Sequence, residues 1–232
     1  ATSKSPLGDF VYGGVIVSNC DLHIDTYKPA DMPMAYGANN HGSIVQIKDQ
    51  WYIFYHRHTN GSWYSRQGCA EPISIAEDGS IEQVEITSCG LNGGPLAGQG
   101  EYPAYLACHL FTDEPSMYVG GDAFPKVMQD GKDGDEEIGY VGNVQNSATI
   151  GFKYFDMKNV KKIRVTMRGY ISGNIEVRLT WDGDVLASLP IEFTNVWETY
   201  ESEIEIPDGI HSLYFTFRGD GNGALKSFEL LV

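Results

Sequence analysis

Apolar and polar positions alternate along this chain in short bursts of period two, and no long amphipathic run with helical spacing interrupts them. The clearest bursts lie between Asn39 and Cys89. Ser43-Ile44-Val45-Gln46-Ile47 is followed by the polar Lys48-Asp49-Gln50 and then by Trp51-Tyr52-Ile53-Phe54-Tyr55, a run of aromatic and β-branched residues. A break at Thr59-Asn60-Gly61-Ser62 precedes a third run ending in Pro72-Ile73-Ser74-Ile75. Asp78-Gly79 then predicts a hairpin turn into a fourth strand, Ser80 to Ile86. One antiparallel four-stranded unit follows from this pattern. Such a unit cannot bury both faces by itself, so it reads as a propeller blade or as part of a larger sandwich.

The same alternation returns after residue 110, in the runs 149–155, 162–168, 175–181, 200–206, 212–217 and 227–231, with turn signals at Asp182-Gly183, Asp208-Gly209 and Asp220-Gly221. Strands at this spacing predict one complete β-sandwich over 111–232. Between the two regions the Gly-rich stretch from Gly90 to Gly100 is too flexible for a regular element, and 90–110 reads as a linker or wrapping segment. No periodic internal repeat joins the halves. The fold class is therefore all-β.

Composition narrows the partners. Among 232 residues the net charge is −15, which argues against nucleic acid and anionic membrane surfaces, because tracking phosphates needs a basic face. A neutral polar ligand remains compatible. The sequence contains no run of 18 apolar residues and no charged-then-apolar leader, so no membrane span or secretion signal is read in it. Cys20, Cys69, Cys89 and Cys108 form no Cys-x-x-Cys pair, which disfavours zinc and leaves buried free thiols or disulfides.

Few residues offer chemistry. His41 stands at the mouth of the first strand, and His56 and His58 share one strand face as a surface pair. The acidic stretch from Asp130 to Glu137 departs from the spacing of a calcium loop and reads as a solvated charged turn.

A resemblance enters on the residues Asn40-His41-Gly42-Ser43, Trp51 to Arg57, Arg66, Glu71-Pro72-Ile73 and Asp78-Gly79-Ser80-Ile81. Together these resemble the last blade of glycoside hydrolase family 43, a family of β-xylosidases, α-L-arabinofuranosidases and arabinanases on a five-bladed propeller. Ala1 to Tyr12 resembles the preceding blade. The likeness covers about 1–108 and implies that 1–89 are roughly the last two blades of a partial β-propeller. It also implies that the catalytic Asp, Asp and Glu of inverting hydrolysis come from blades upstream of Ala1, so that this chain lacks the general acid and base. His41 resembles the family's axial histidine near a central calcium ion, and Arg66 resembles a pocket arginine donating to sugar hydroxyls.

The second half is similar to carbohydrate-binding module family 6, a jelly-roll sandwich. Ile138-Gly139-Tyr140-Val141, Gly173 to Arg178, Val196-Trp197-Glu198-Thr199-Tyr200 and Gly209 to Phe217 carry the likeness. It implies a loop-end cleft in which two aromatic rings sandwich a sugar, with Tyr140 and Tyr200 as the rings and Trp197 in the core. Ala224 takes the place of the family's ligand-contacting Asn, for which Asn222 substitutes. Calcium, at the propeller axis or in the sandwich, is the cofactor implied. The whole reads as the C-terminal part of a glycosidase acting on arabinoxylan-like plant polysaccharide, in an extracellular bacterial setting. The alternative is a non-catalytic module that binds carbohydrate or braces the propeller.

Overall fold

The computed structural model describes residues 1–19, 21, 23–24, 40–62, 64–113, 124–131 and 139–232. Cys20 and most of the acidic loop, from Lys132 onward, lie outside these residues.

In the first half β1 (Ser43–Ile47), β2 (Gln50–Arg57) and β3 (Gln67–Ile73) form an antiparallel sheet in that order. Lys48, in the left-handed region at φ 55°, makes the tight turn that pairs Ile47 with Gln50. The edge strand β1 is exposed throughout, while β2 buries Tyr52, Ile53, Tyr55, His56 and Arg57 and so is covered on both faces.

The expected fourth strand does not form. The Asp78-Gly79 turn is made, with the Gly79 N–H donating to the Ala76 carbonyl, but the following backbone donors find partners elsewhere. Val84 N–H donates to Ile16 O, Ile86 N–H to the Asp21 carboxylate, Thr87 N–H to Glu71 and Ser88 N–H to Lys153 O. These scattered acceptors take donors that a fourth ladder would have used. Ala1 to Tyr12, likened to the preceding blade, contribute one bridge between Thr2 and Val11.

The second half is a sandwich built on two long strands. It comprises β4 (Leu96–Ala97), β5 (Gly100–Pro103), β6 (His109–Phe111), β7 (Lys126–Gln129), β8 (Gly139–Val144), β9 (Thr149–Met157), β10 (Lys162–Arg178), β11 (Ala187–Ile191), β12 (Thr194–Glu203) and β13 (Gly209–Leu231). All 17 residues of β10 pair with β13. The first half of β10 also pairs with β12 and its second half with β11. Correspondingly β13 pairs with β9 near its start and with β8 and β5 near its end.

Each long strand thus serves two sheets, and the bend between them replaces the turn expected at Asp220-Gly221. Glycine makes the bend possible. Gly173 and Gly219 face each other at φ 156°, and a Cβ on Gly173 would lie 2.2 Å from Arg218 O. The core between the sheets is rich in aromatics, with Phe228 in ring contact with Phe152 at 4.7 Å and Phe215 at 5.1 Å.

Residues 90–110 run along the sandwich and are hydrogen-bonded to it, β4 on β9 and β5 on β13. The two halves are joined by buried polar contacts. Arg57, 3 % exposed, donates to Cys108 O at 2.6 Å and Ala107 O at 3.0 Å. Lys153, 1 % exposed, pairs with Glu85 at 2.5 Å, and Tyr154 OH donates to the other Glu85 oxygen at 2.7 Å. Glu71 accepts from Thr87 N–H, Thr87 Oγ1 and Tyr55 OH. Burial, working against the Thr87 hydrogen bonds, raises Glu71 to about 7. Burial likewise raises Asp21, which lies 4.0 Å from His109, to about 7. Cys69, Cys89 and Cys108 are free thiols, and burial pushes Cys108 up to about 12.

Candidate carbohydrate-binding groove

A hollow of about 580 Å³ opens on the outer face of the sheet made by β7, β8, β12 and the near halves of β10 and β13. Alternation along β10 sets up this face. Val165 and Met167 are fully buried, so Arg164, Thr166 and Arg168 point outward. Arg168 and Tyr170 of β10, Tyr140 of β8, Met128 of β7, Asn195 of β12 and Asn222 of β13 line the hollow.

Arg168 organises the groove. Its Nη2 donates to both oxygens of Asp130, at 3.0 and 2.7 Å. The guanidinium lies 5.2 Å from the Tyr140 ring centre and 4.2 Å from that of Trp197. The two rings meet edge to face at 5.6 Å, and Tyr140 OH donates to Asp130 at 3.2 Å. Burial first, and then the Asp130 charge, raise the Tyr140 hydroxyl above its usual range. Asn222 Nδ2 donates to Asn143 Oδ1 at 2.9 Å, and Asn143 Nδ2 in turn to Phe124 O at 2.7 Å, which anchors the amide cluster to the backbone. At the open end Tyr170, 77 % exposed, packs on Phe193, 55 % exposed, at 4.6 Å.

The structure therefore brings Tyr140 and Asn222 to one groove and leaves Tyr200 out of it. Tyr200 packs against the core from the opposite side of β12, and its hydroxyl donates to Glu192 O at 3.0 Å. Trp197, expected in the core, is half-buried and stands over Arg168. The odd spacing between the two residues puts them on opposite faces of the strand, and the sandwich needed the tyrosine inside. Ala224 also lines the groove. Sequence reasoning missed Arg168, Asp130 and Tyr170; the signal for Arg168 was the outward set Arg164, Thr166 and Arg168 on an alternating strand.

Arg66 lies on the blade side. It is exposed, in a neighbouring hollow with Tyr64, Gln67 and Tyr105. His41 is exposed, its ring 4.6 Å from that of His56, which in turn is 5.3 Å from His58. Rather than a surface pair, His56 and His58 are both buried, at 7 % and 2 % exposure, because the loop 58–62 folds back so that His58 Nδ1 donates to Ser62 O at 2.9 Å. Burial lowers the His56 pKa, with the nearby His41, Arg66 and His58 acting in the same direction. This cluster offers ring nitrogens, whereas calcium takes six to eight hard oxygens. Among the described residues there is no group of three or more His, Cys, Asp or Glu side chains able to hold a metal ion.

Comparison with known proteins follows the same division. The family model for "Carbohydrate binding module (family 6)" matches residues 127–230. A "Xylosidase/arabinosidase" of Thermoclostridium stercorarium is 61 % identical over 236 residues, covering 99 % of this chain and 50 % of that protein. An "Arabinoxylan arabinofuranohydrolase" of Paenibacillus polymyxa is 26 % identical, covering 98 % of this chain and 34 % of the relative. The crystal structure of a glycoside hydrolase family 43 arabinoxylan arabinofuranohydrolase from Bacillus subtilis superposes with a TM-score of 0.55 at 20 % identity, over 98 % of this chain and 46 % of that one. The chain spans half or less of the length of these relatives. Together the matches show that residues 127–230 are similar to the family 6 carbohydrate binding module, and that the chain as a whole is similar to half of a xylosidase/arabinosidase and shares the fold of the corresponding part of an arabinoxylan arabinofuranohydrolase.

Proposed function

We propose that this chain is the substrate-holding portion of a glycoside hydrolase that releases arabinose or xylose from arabinoxylan-like plant polysaccharide by inverting hydrolysis, with the general acid and base supplied by blades outside these residues. One observation carries the binding role: the groove is lined by Tyr140 and Tyr170 together with the amides of Asn195 and Asn222, and Trp197 stands edge to face with Tyr140. Aromatic faces cover the apolar C–H face of a sugar while amides satisfy its hydroxyls. The described carboxyls whose pKa is raised, Asp21 and Glu71, are 1 % and 2 % exposed and committed to backbone and side-chain donors, which suits a structural role rather than proton transfer to substrate.

A second role is supported by a separate observation. The Arg57 and Lys153 contacts tie the module to the blade through buried, charge-assisted bonds, so the module also braces the propeller.

Two measurements test the proposal. Aryl xyloside and aryl arabinofuranoside should not be turned over by this polypeptide, and measurable turnover would disprove the external acid and base. Titration with xylo-oligosaccharides should change Trp and Tyr fluorescence; an unchanged signal with calorimetrically silent mixing would leave only the bracing role.

A further inference from the structure

We infer that the module groove and the hollow beside Arg66 are one trough, which holds a single neutral polysaccharide chain across the junction between blade and module; this rests on the carbohydrate-binding reading above. The two hollows, about 580 and 520 Å³, share two lining residues, Asn60 of the blade loop and Met128 of β7. They meet where the halves are stitched together. Val127 N–H donates to Thr59 O at 3.0 Å, Thr59 Oγ1 donates to Gln67 at 3.0 Å, and Gln67 Nε2 donates to Tyr105 O at 2.7 Å. This chain of bonds fixes the floor of the trough, so Asn60 cannot swing away from Met128 without breaking it.

The lining fits a sugar chain. Tyr64, 95 % exposed, stands at the blade end and Tyr170, 77 % exposed, at the module end, each with an open ring face for a pyranose. Amides and hydroxyls lie between them. The chain carries 31 acidic residues, yet none is among the described residues lining either hollow. The described lining offers amides and hydroxyls, with Arg66, Lys126 and Arg168 as further donors, to the hydroxyls of a sugar chain. A chain anchored at both ends gains by effective concentration what neither end supplies alone.

Calorimetric titration of the whole chain with xylobiose, xylotetraose and xylohexaose tests this. Affinity should rise on the order of tenfold from xylobiose to xylohexaose. Tyr64→Ala and Arg66→Ala should weaken xylohexaose about fivefold while leaving xylobiose unchanged, and Asn222→Ala should weaken both. Asn60→Trp, which fills the shared neck, should bring xylohexaose down to the xylobiose level. Equal affinity for all lengths, or no effect of Tyr64→Ala, Arg66→Ala and Asn60→Trp on xylohexaose, overturns the trough while a response to Asn222→Ala keeps the module site. No binding at any length overturns both.

Discussion

The guanidinium of Arg168 stands over Trp197 with its central carbon 4.2 Å from the ring centre, while Asp130 accepts two hydrogen bonds from the same group. The space beside Tyr140 and Trp197 is thus partly filled by the protein itself. Arg168 fixes the angle between Tyr140 and Trp197, and the sugar-facing surface shifts toward Tyr170 and Asn222.

Replacing Arg168 should therefore loosen the groove. Arg168→Ala is expected to lower xylobiose affinity about tenfold, and Arg168→Lys to recover part of it, since an ammonium keeps the charge without the planar stack. Calorimetry gives the affinities, and the near-ultraviolet circular dichroism of Trp197 reports the ring's loss of fixed orientation. Full affinity in Arg168→Ala would show that the rings are held by other contacts.

Trp197 and Tyr200 should separate cleanly. Trp197→Ala should weaken oligosaccharide binding with little effect on stability, because that ring is half-buried on the outer face. Tyr200→Ala should do the reverse, costing about 2 to 3 kcal/mol in urea unfolding through lost packing against the core while affinity is kept.

The junction depends on Arg57. Arg57→Ala leaves the carbonyls of Ala107 and Cys108 buried without their donor, which should cost about 3 kcal/mol in urea denaturation. Lys153→Met alone should be similarly damaging, because Glu85 loses its counter-charge. Adding Glu85→Gln should restore much of the loss, and the double-mutant cycle measures how much of the damage is the stranded carboxylate.

Acidity at the junction has a definite sign. Glu71 and Asp21 titrate near 7 when folded, against 4.5 and 3.8 for the unreacted groups, so the folded state keeps protons that the unfolded state has released. Stability from these groups is therefore greatest below about 4 and falls as the pH rises to about 7, by at most about 3 kcal/mol for Glu71 and about 4 kcal/mol for Asp21. Glu71→Gln should flatten part of that slope in a series of denaturation curves. An unchanged slope would place the proton uptake on another group.

Much of this was legible in the chain. Alternation in 43–57 and 149–155 predicted β1, β2 and β9, because each carries the β-branched and aromatic residues that favour strands. Other parts depend on contacts distant in sequence. The segment 80–86 has strand composition, but Asp21, Glu71 and Lys153 capture donors in and just after it. Asp220-Gly221 has hairpin composition, but β10 pairs straight through it, so the glycine supplies a bend. Tyr140 and Asn222 were readable as groove residues, since short motifs mark the ends of β8 and β13. The exchange of Tyr200 for Trp197 was not, because strand faces depend on a register that the local pattern leaves undetermined by one residue.

The ladder shared by β10 and β13 has a consequence for how damage spreads. Because the same two strands are paired from Lys162 to Arg178, neither sheet can peel open without breaking pairs that belong to the other. Amide protons along that ladder should exchange with solvent only when the whole module opens, at a single common rate. A substitution at Gly173, far from any sugar, would then lower the occupancy of the groove by reducing the fraction of molecules in which the module is closed.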